Sequence, residues 1–454
     1  MSHKIIGPIA ALLSVIVTRS LDMPLDAALT LAIVIWVAWW WVSECIPLAI
    51  TALLPFILLP VIGVLDPKEA ATALGDNIIL LFMAAFMMAK AIEASGVHKR
   101  LALSLIALIG PDSGRRIVVA FMCATAFLSM WISNTASVLA LLPVALALAD
   151  ATDNKPFQKA LLLGLAYSGS VGGIATLVGT PPNLIFASIY ENISGQGFDF
   201  TRWLGIGIPM MVISIPLMAW YLTRNVHLSM PLQLPQQDKM SAYERRVLTV
   251  FGVVVLLWVM RTTPFGGWTG LLGLPSLNDA TVALAGALAM FIIPTGEKQQ
   301  PTLLDWSLAK DIPWGILLLF AGGICLAKGV MASGLGTLMG ESLTVLGEWP
   351  LWLLILVLTL AVSLMTEFTS NTATATLLMP ILAATAQAIN QPIEILMIPA
   401  VIACSCAFCM PVATPPNSIV FASNRISIRD MARTGVVLNI ILAFVTTAIV
   451  MVLV

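Results

Sequence analysis

The sequence is poor in charge, and that shortage excludes several kinds of protein. Only 10% of the 454 residues are charged, the net charge is −1, and histidine occurs 3 times. Soluble globular domains carry about 25% charged residues, so a water-facing surface is excluded for most of this chain. No basic field is present that would attract nucleic acid. The scarcity of histidine also leaves no credible histidine-based catalytic arrangement for an intramembrane enzyme.

In place of charge, the chain is 59% hydrophobic and has a mean hydropathy of +0.99. This composition is typical of an all-α membrane protein that crosses the bilayer many times. The first apolar run begins at Ile5, lacks a small-residue cleavage site and leads directly into further apolar runs. We therefore interpret it as a retained first helix.

Apolar runs of about 20 residues, the length needed to cross hydrocarbon, predict about eleven transmembrane helices. They lie near residues 5–22, 27–44, 46–64, 77–97, 158–190, 204–223, 246–261, 278–294, 311–332, 393–424 and 435–454. Basic residues cluster in alternate loops, and such loops are cytoplasmic. This rule predicts a cytoplasmic amino terminus and a periplasmic carboxyl terminus in the inner membrane.

Short polar motifs occur twice at a nearly constant spacing along the chain. Ser133-Asn134-Thr135 recurs as Ser370-Asn371-Thr372. Gly179-Thr180-Pro181-Pro182-Asn183 recurs, in the same order, as Ala413-Thr414-Pro415-Pro416-Asn417. Most of the chain is therefore predicted to be one duplicated unit.

Each Ser-Asn-Thr motif lies in the middle of an apolar segment of unsuitable length. Residues 117–149 and 350–390 are too long for one crossing and too short for two. A re-entrant helical hairpin would place the motif at its tip, where non-helical backbone is tolerated if it lines a cavity. By the predicted topology the first hairpin enters from the cytoplasm and the second from outside, which gives an inverted repeat.

The Thr-Pro-Pro-Asn motifs predict a break in each of two further helices, because two prolines remove amide donors and clash with the preceding turn. A broken helix presents a positive end to anions and free carbonyls to cations. Residues 117–149, 160–190 and 399–424 contain no Asp, Glu, Lys or Arg. An anionic substrate there would lack an arginine clamp, so co-bound cations are expected, and hydroxyl, amide and carbonyl oxygens suit sodium better than a soft metal.

Together these motifs resemble the divalent-anion/sodium symporter family, which carries dicarboxylates, citrate or sulfate. The resemblance extends over essentially the whole chain. It includes the doubled Ser-Asn-Thr and Thr-Pro-Pro-Asn motifs, residues 41–48 (WVSECIPL) and residues 405–420 (SCAFCMPVATPPNSIV).

The resemblance implies an elevator-type carrier, usually a homodimer, in which a transport domain holding both hairpins slides against a scaffold. It implies two or more sodium ions, bound by two sets of ligands: Ser129, Ser133, Asn134 and the Gly179 carbonyl, and Thr366, Ser370, Asn371 and the Ala413 carbonyl. Dicarboxylate contacts are implied for two matching sets: Asn134, Thr135, Thr180 and Pro181, and Asn371, Thr372, Thr414 and Pro415.

This interpretation divides the chain into four segments. Residues 1–115 and 226–348 are predicted to form the scaffold, and residues 116–225 and 349–454 the two halves of the transport domain. The predicted function is sodium-coupled import of C4-dicarboxylates such as succinate, malate and fumarate. A sodium-independent dicarboxylate exchanger and a sodium/sulfate symporter of the same family stay open as alternatives.

Simpler roles compete with these functional ones. Serine and threonine in membrane helices often serve only to join helices, although matched pairs at matched spacing argue against that here. Lys90 and Glu93 lie on one helical face, which favours a local ion pair. Glu44 and Glu367 are carboxylates within apolar segments, and such residues are functional candidates by default, although a structural anchor is the first expectation for both.

Overall fold

The protein is helical throughout the part of the chain that the structure describes. A computed structural model describes residues 2–110, 112–228, 238–264, 266–274, 276–296, 300–342 and 344–454. In these ranges the only strand-like pairing is one bridge between Pro294 and Thr302. The predicted all-α fold is confirmed. The predicted scaffold segment 226–348 includes positions outside the described residues, namely 229–237, 265, 275, 297–299 and 343.

The first half of the described chain contains α1 (Ser2–Ser20), α2 (Leu25–Ser43), α3 (Leu48–Thr51), α4 (Leu54–Val61), α5 (Pro67–Thr72), α6 (Asn77–Ser95), α7 (Val97–Ile109), α8 (Gly114–Ser129), α9 (Asn134–Asp150), α10 (Lys155–Ile174), α11 (Pro181–Ser194) and α12 (Phe200–Thr223). The second half contains α13 (Ala242–Val259), α14 (Gly267–Leu271), α15 (Asp279–Ile292), α16 (Trp306–Ala309), α17 (Trp314–Ala332), α18 (Leu335–Ser342), a 3-10 helix (Thr344–Glu348), α19 (Leu351–Thr366), α20 (Asn371–Ala388), α21 (Glu394–Cys404), α22 (Pro415–Phe421) and α23 (Ile428–Leu453).

The duplication in the sequence reappears as a duplication of elements. Helices α6 to α12 and α17 to α23 follow the same order: a long helix, a short one, two helices joined by a tight turn, a broken helix and a long final helix. Both breaks fall where the prolines predict them, between α10 and α11 and between α21 and α22. We call α6 to α12 the first repeat and α17 to α23 the second.

Six helical segments of the described chain are long and apolar enough to cross a membrane: His3–Ser20, Leu25–Ser43, Pro67–Ser95, Phe200–Thr223, Trp314–Ala332 and Ile428–Leu453. They coincide with six of the predicted crossings. The other five predicted crossings correspond to shorter, broken or more polar helices, so the count of eleven stays a prediction. The hairpin helices α8 and α19 have 16 residues each, or about 24 Å, less than the hydrocarbon thickness of about 30 Å.

Two features of the fold were missed from the sequence. Helices α7 and α18 follow glycines with positive φ, Gly96 at 74° and Gly334 at 71°, which turn the chain after the preceding long helix. The predicted crossing at 46–64 is instead two short helices, α3 and α4. Their junction includes Ala52, whose backbone lies so close to Gly322 of α17 that a side chain at Gly322 would clash.

The two repeats pack into each other rather than side by side. Helix α10 is enclosed by its neighbours, and every residue from 160 to 177 is buried. Helix α22 of the second repeat packs against α9 and α10, and α11 of the first repeat packs against α20 and α21. Each break is therefore flanked by the hairpin of the other repeat.

Several charged residues outside the motifs have structural partners. The predicted pair forms between Lys90 Nζ and Glu93 Oε2 at 3.0 Å. Lys328, the counterpart of Lys90, donates to Thr72 Oγ1 at 2.7 Å. Glu44 is exposed and ends α2 with a left-handed φ of 46°, so the structure gives it a place at a helix end and not in the core.

Candidate functional site

The tip of the first hairpin gathers oxygen atoms around the Ser129 hydroxyl. Ser129 is fully buried, and its Oγ lies 2.6 Å from Asn134 Oδ1 and 2.6 Å from the Gly169 carbonyl oxygen. A hydroxyl carries one proton and can satisfy only one of these acceptors at a time. Three oxygens that share one proton form an arrangement that a bound cation would stabilise.

The tip of the second hairpin repeats this geometry. Thr366 is fully buried, and its Oγ1 lies 2.6 Å from Asn371 Oδ1 and 3.0 Å from the Cys404 carbonyl oxygen. Gly169 and Cys404 are themselves equivalent, since their spacing along the chain lies within the range set by the repeated motifs. Both carbonyls were missed from the sequence, although this spacing was a signal that could have found them.

Gly173 brings the first hairpin and the first break together. A Cβ atom at Gly173 would lie 2.7 Å from Asn134 Oδ1, 3.1 Å from the Gly179 carbonyl oxygen and 3.2 Å from Thr180 Cβ. The absence of a side chain therefore allows three predicted site residues to meet around one position of α10.

The serines of the two Ser-Asn-Thr motifs both precede a helix. Ser133 Oγ accepts a hydrogen bond from the Ala136 amide at 3.2 Å and so caps α9. Ser370 occupies the same place before α20, but its side chain makes no capping bond. The carbonyl of Ala413 lies just before Thr414, which caps α22.

All four predicted substrate segments coincide with the start of a helix. Helix α9 begins at Asn134, α20 at Asn371, α11 at Pro181 and α22 at Pro415. The positive end of the helix dipole at each start favours negative charge. Helix α22 has only seven residues, so the longer helices α9, α11 and α20 contribute most.

The paired prolines change which atoms an anion would meet at the breaks. Prolines occupy the first two positions of α11 and α22 and have no N–H, so amide donors come mainly from the hairpin helices. Thr180 and Thr414, which are 3% and 4% exposed, bring hydroxyls to the same ends. The Thr414 hydroxyl accepts from the Asn417 amide at 3.3 Å, whereas the Thr180 hydroxyl makes no capping bond.

The asparagines that end the Thr-Pro-Pro-Asn motifs stabilise the non-helical backbone at the breaks. Asn183 Nδ2 donates to the Thr176 carbonyl at 2.8 Å and to the Gly173 carbonyl at 3.1 Å. Asn417 Nδ2 donates to the Met410 carbonyl at 3.0 Å and to that of Ala407 at 2.9 Å. These side chains satisfy carbonyls that the helix breaks leave without intrahelical partners.

Glu367 is the charged residue closest in sequence to either oxygen cluster. It is 1% exposed, follows Thr366 directly, and accepts hydrogen bonds from three consecutive amides: Phe408 at 2.7 Å, Cys409 at 2.8 Å and Met410 at 3.0 Å. Asn439 Nδ2 of α23 adds a fourth donor at 2.9 Å. These bonds offset the cost of burying a carboxylate, and they tie the second hairpin to the loop that leads into Ala413.

Four of the unsatisfied buried polar groups lie at repeated positions. Within the described chain the buried Ser170 and Ser405 hydroxyls lack a hydrogen-bond partner, as do Oδ1 of Asn183 and Oδ1 of Asn417. Ser170 and Ser405 directly follow Gly169 and Cys404, and the two asparagines end the repeated Thr-Pro-Pro-Asn motif. Unsatisfied buried polar groups are costly, and these four lie at equivalent positions of the two repeats.

Comparisons with known proteins agree with this architecture. The family model described as citrate transporter matches residues 36–397. The sodium-dependent dicarboxylate transporter SdcS of Staphylococcus saprophyticus is 38% identical over 462 residues, covering 96% of this chain and 88% of that protein. SdcS of Staphylococcus aureus strain NCTC 8325 is 37% identical over 470 residues, covering 98% and 89%.

Among solved structures, the Alcanivorax borkumensis YdaH transporter, described as having an unusual topology, matches with a TM-score of 0.60. The match covers 84% of this chain and 86% of that chain at 14% sequence identity. At this identity the likeness concerns the fold alone.

Proposed function

This chain belongs to the citrate transporter family and its divalent-anion/sodium symporters, and on that premise we propose that it imports C4-dicarboxylates such as succinate, malate and fumarate together with sodium. Like the family as a whole, the chain is a transporter and not an enzyme. The observation that carries the proposal is the pair of equivalent oxygen clusters, at Ser129 with Asn134 and at Thr366 with Asn371, where the nearby segments lack basic side chains.

Sodium is the cation that these clusters suit. In our proposal one ion binds Ser129, Ser133, Asn134 and the Gly179 carbonyl, and a second binds Thr366, Ser370, Asn371 and the Ala413 carbonyl. The carbonyls of Gly169 and Cys404 already lie within 3.0 Å of the buried hydroxyls. Hard oxygen ligands without thiolate or imidazole favour a hard cation.

A dicarboxylate fits between the two half-sites because it carries a negative group at each end. One carboxylate would lie at the starts of α9 and α11, near Asn134, Thr135, Thr180 and Pro181. The other would lie at the starts of α20 and α22, near Asn371, Thr372, Thr414 and Pro415. Sodium ions beside Asn134 and Asn371 would balance the charge that no arginine balances, which couples the two solutes.

The proposed movement is an elevator transition. Residues 116–225 and 349–454 would move as a transport domain against a scaffold of residues 1–115 and 226–348. The mutual packing of α11 with α20 and α21, and of α22 with α9 and α10, supports one moving unit that includes both half-sites. An inverted repeat, a homodimer, and a cytoplasmic amino terminus with a periplasmic carboxyl terminus in the inner membrane belong to the same proposal and stay predictions.

Uptake of labelled succinate into proteoliposomes tests this function. An inward sodium gradient is compared with a matched potassium gradient, and unlabelled succinate, citrate or sulfate is added as competitor. Sodium-driven accumulation that succinate blocks and sulfate does not is the expected result. Uptake that ignores sodium but requires preloaded dicarboxylate would establish an exchanger, and sulfate transport without succinate uptake would establish the sulfate symporter.

The threonines of the Ser-Asn-Thr motifs sharpen the assignment of substrate contacts. Thr135→Ala and Thr372→Ala are expected to raise the succinate KM more than the sodium concentration for half-maximal uptake, since in our proposal these threonines contact only the substrate, whereas the asparagines contact both substrate and sodium. The measurement is a two-dimensional titration of uptake rate against succinate and sodium. An equal loss of both affinities would contradict the assignment.

A further inference from the structure

Within the described chain three ion pairs join the repeats far from the hairpin tips. One joins Arg425 to Asp150, and the other two occupy matching positions in the two repeats. Lys159 Nζ of α10 lies 2.5 Å from Asp430 Oδ1 of α23. Arg202 Nη2 of α12 lies 2.9 Å from Glu394 Oε1 of α21. Each pair has one member in the first repeat and one in the second.

The two pairs occupy equivalent positions with their charges exchanged. Lys159 and Glu394 lie equally far along the chain before Gly169 and Cys404, the carbonyl residues of the two oxygen clusters. Arg202 and Asp430 are each the third residue of the long final helix of their repeat. The basic residue lies on the broken helix in one pair, as Lys159, and on the final helix in the other, as Arg202.

The positions of the pairs explain why each needs a carboxylate. In each pair a broken helix and a final helix of opposite repeats meet near their amino-terminal ends, which carry partial positive charge and repel each other. Asp430 and Glu394 place a negative group between these ends. The basic partner then neutralises the carboxylate, and at Glu394 the Tyr190 hydroxyl adds a hydrogen bond of 2.9 Å.

Each pair is connected to a half-site through ten residues of helix, a stretch that in α21 includes Pro399. From Lys159 to Gly169 and from Glu394 to Cys404 the helix spans about 15 Å, at a rise of about 1.5 Å per residue. The carbonyls at the far ends contact the Ser129 and Thr366 hydroxyls. A shift at the ion pair would therefore displace a carbonyl of the cation cluster.

We propose that the two pairs, Lys159 with Asp430 and Arg202 with Glu394, are positioning residues that fix where the two half-sites lie relative to each other. This inference rests on the proposed function, in which one dicarboxylate spans both half-sites. Loss of either pair removes no predicted ligand, but it shifts one half-site relative to the other. Affinity for the substrate falls, while the turnover of bound substrate changes little.

Charge exchange within one pair tests the proposal. Lys159→Glu and Asp430→Arg are made singly and together, so that the double variant acquires the polarity of the other pair. Each single variant is expected to raise the succinate KM and the half-maximal sodium concentration about three- to ten-fold with kcat nearly unchanged, and the double variant to recover most of the loss. Arg116→Ala, which breaks an exposed pair with Asp112 inside one repeat, is the matched control and should behave as wild type.

Thermal unfolding of the purified variants tests the ion pairs independently of transport. Single reversals should lower the Tm and the double variant should restore it, whatever the substrate is. If wild-type protein shows no sodium-driven succinate uptake, the proposed function fails. If wild-type protein transports and the single variants match it, or if the double variant recovers neither KM nor Tm, the positioning proposal fails.

Variants with neutral side chains keep the proposal testable if a charge reversal prevents insertion of the protein into the membrane. Lys159→Gln and Glu394→Gln each remove one charge of a different pair and should raise the KM to a similar extent, because the pairs are equivalent. A fall in kcat at unchanged KM in these variants would overturn the positioning role.

Discussion

The two hairpin tips have the same arrangement of hydroxyl, amide and carbonyl oxygens, but different hydrogen bonds connect each tip to the loop at the helix break of its repeat. In the first, the Thr176 hydroxyl donates to the Met130 carbonyl at 2.5 Å. In the second, Glu367 takes the position of Met130, since each directly follows the buried hydroxyl residue of its hairpin. The Glu367 carboxylate accepts from three amides of the opposing loop. A single neutral bond in one repeat thus corresponds to a set of charge-assisted bonds in the other.

The difference shows which part of the duplicated design is constrained. The hydroxyl, the asparagine and the carbonyl recur with similar distances, as the proposal that both clusters bind the same cation requires. The hydrogen bonds that we call the brace only have to connect the hairpin tip to the loop at the helix break, and different side chains can do this. Charge-assisted hydrogen bonds are roughly twice as strong as neutral ones, so the second half-site depends on one residue far more than the first does.

The largest effect is expected from Glu367→Gln. The glutamine keeps one acceptor oxygen but points an N–H group at an amide donor, which leaves a buried donor unsatisfied at a cost of about 1–3 kcal/mol. We expect a lower Tm and a loss of sodium-driven uptake of about a hundred-fold. Met130→Leu is the matched control, since the first brace uses the main-chain carbonyl at this position. Wild-type uptake in Glu367→Gln would show that the brace is dispensable.

The asparagines test whether the two half-sites are equivalent. Asn134→Ala and Asn371→Ala each remove an oxygen at which ion and carboxylate would meet, so both should raise the sodium and succinate requirements about ten- to thirty-fold. The measurement is uptake at varied sodium and succinate concentrations. Effects that differ greatly between the two variants would break the equivalence, and wild-type affinity in either would refute a shared site.

A smaller effect is expected from Gly173→Ala in the first half-site. The new methyl group would lie 2.7 Å from Asn134 Oδ1 and 3.1 Å from the Gly179 carbonyl, and such overpacking costs about 1–3 kcal/mol. Sodium affinity should fall about ten-fold with the protein still folded. Gly164→Ala on the same helix is the control, because there the methyl group meets the flexible Met122 side chain. Equal sodium affinity in both variants would contradict this account.

The smallest effect is expected from Thr176→Val. This substitution removes the brace of the first half-site and leaves the side-chain volume at position 176 nearly unchanged. One buried hydrogen bond contributes about 1 kcal/mol, so the Tm should fall slightly and the sodium affinity a few-fold. Thr385→Val, which removes only a bond within α20, serves as control. A loss as large as that of Glu367→Gln would mean that the two braces carry equal weight.

Much of the fold follows from local sequence signals. The prolines at 181–182 and 415–416 end and restart helices because proline cannot continue the hydrogen-bond ladder, and the structure breaks there. The hairpin turns at Ser133 and Ser370 follow from a polar motif inside an apolar run. The short helices α7 and α18 escaped prediction, because a single glycine corner is a weak signal beside a long apolar helix.

The sequence by itself determined that this chain is a membrane transporter with a duplicated polar motif, because apolar content, proline position and repeated spacing are properties of the chain alone. Only the tertiary structure decided what the motifs touch: the carbonyls of Gly169 and Cys404 against the hydroxyls, Glu367 against a loop distant in sequence, and the ion pairs between repeats. These contacts depend on how helices far apart along the chain pack, and no local pattern encodes that packing.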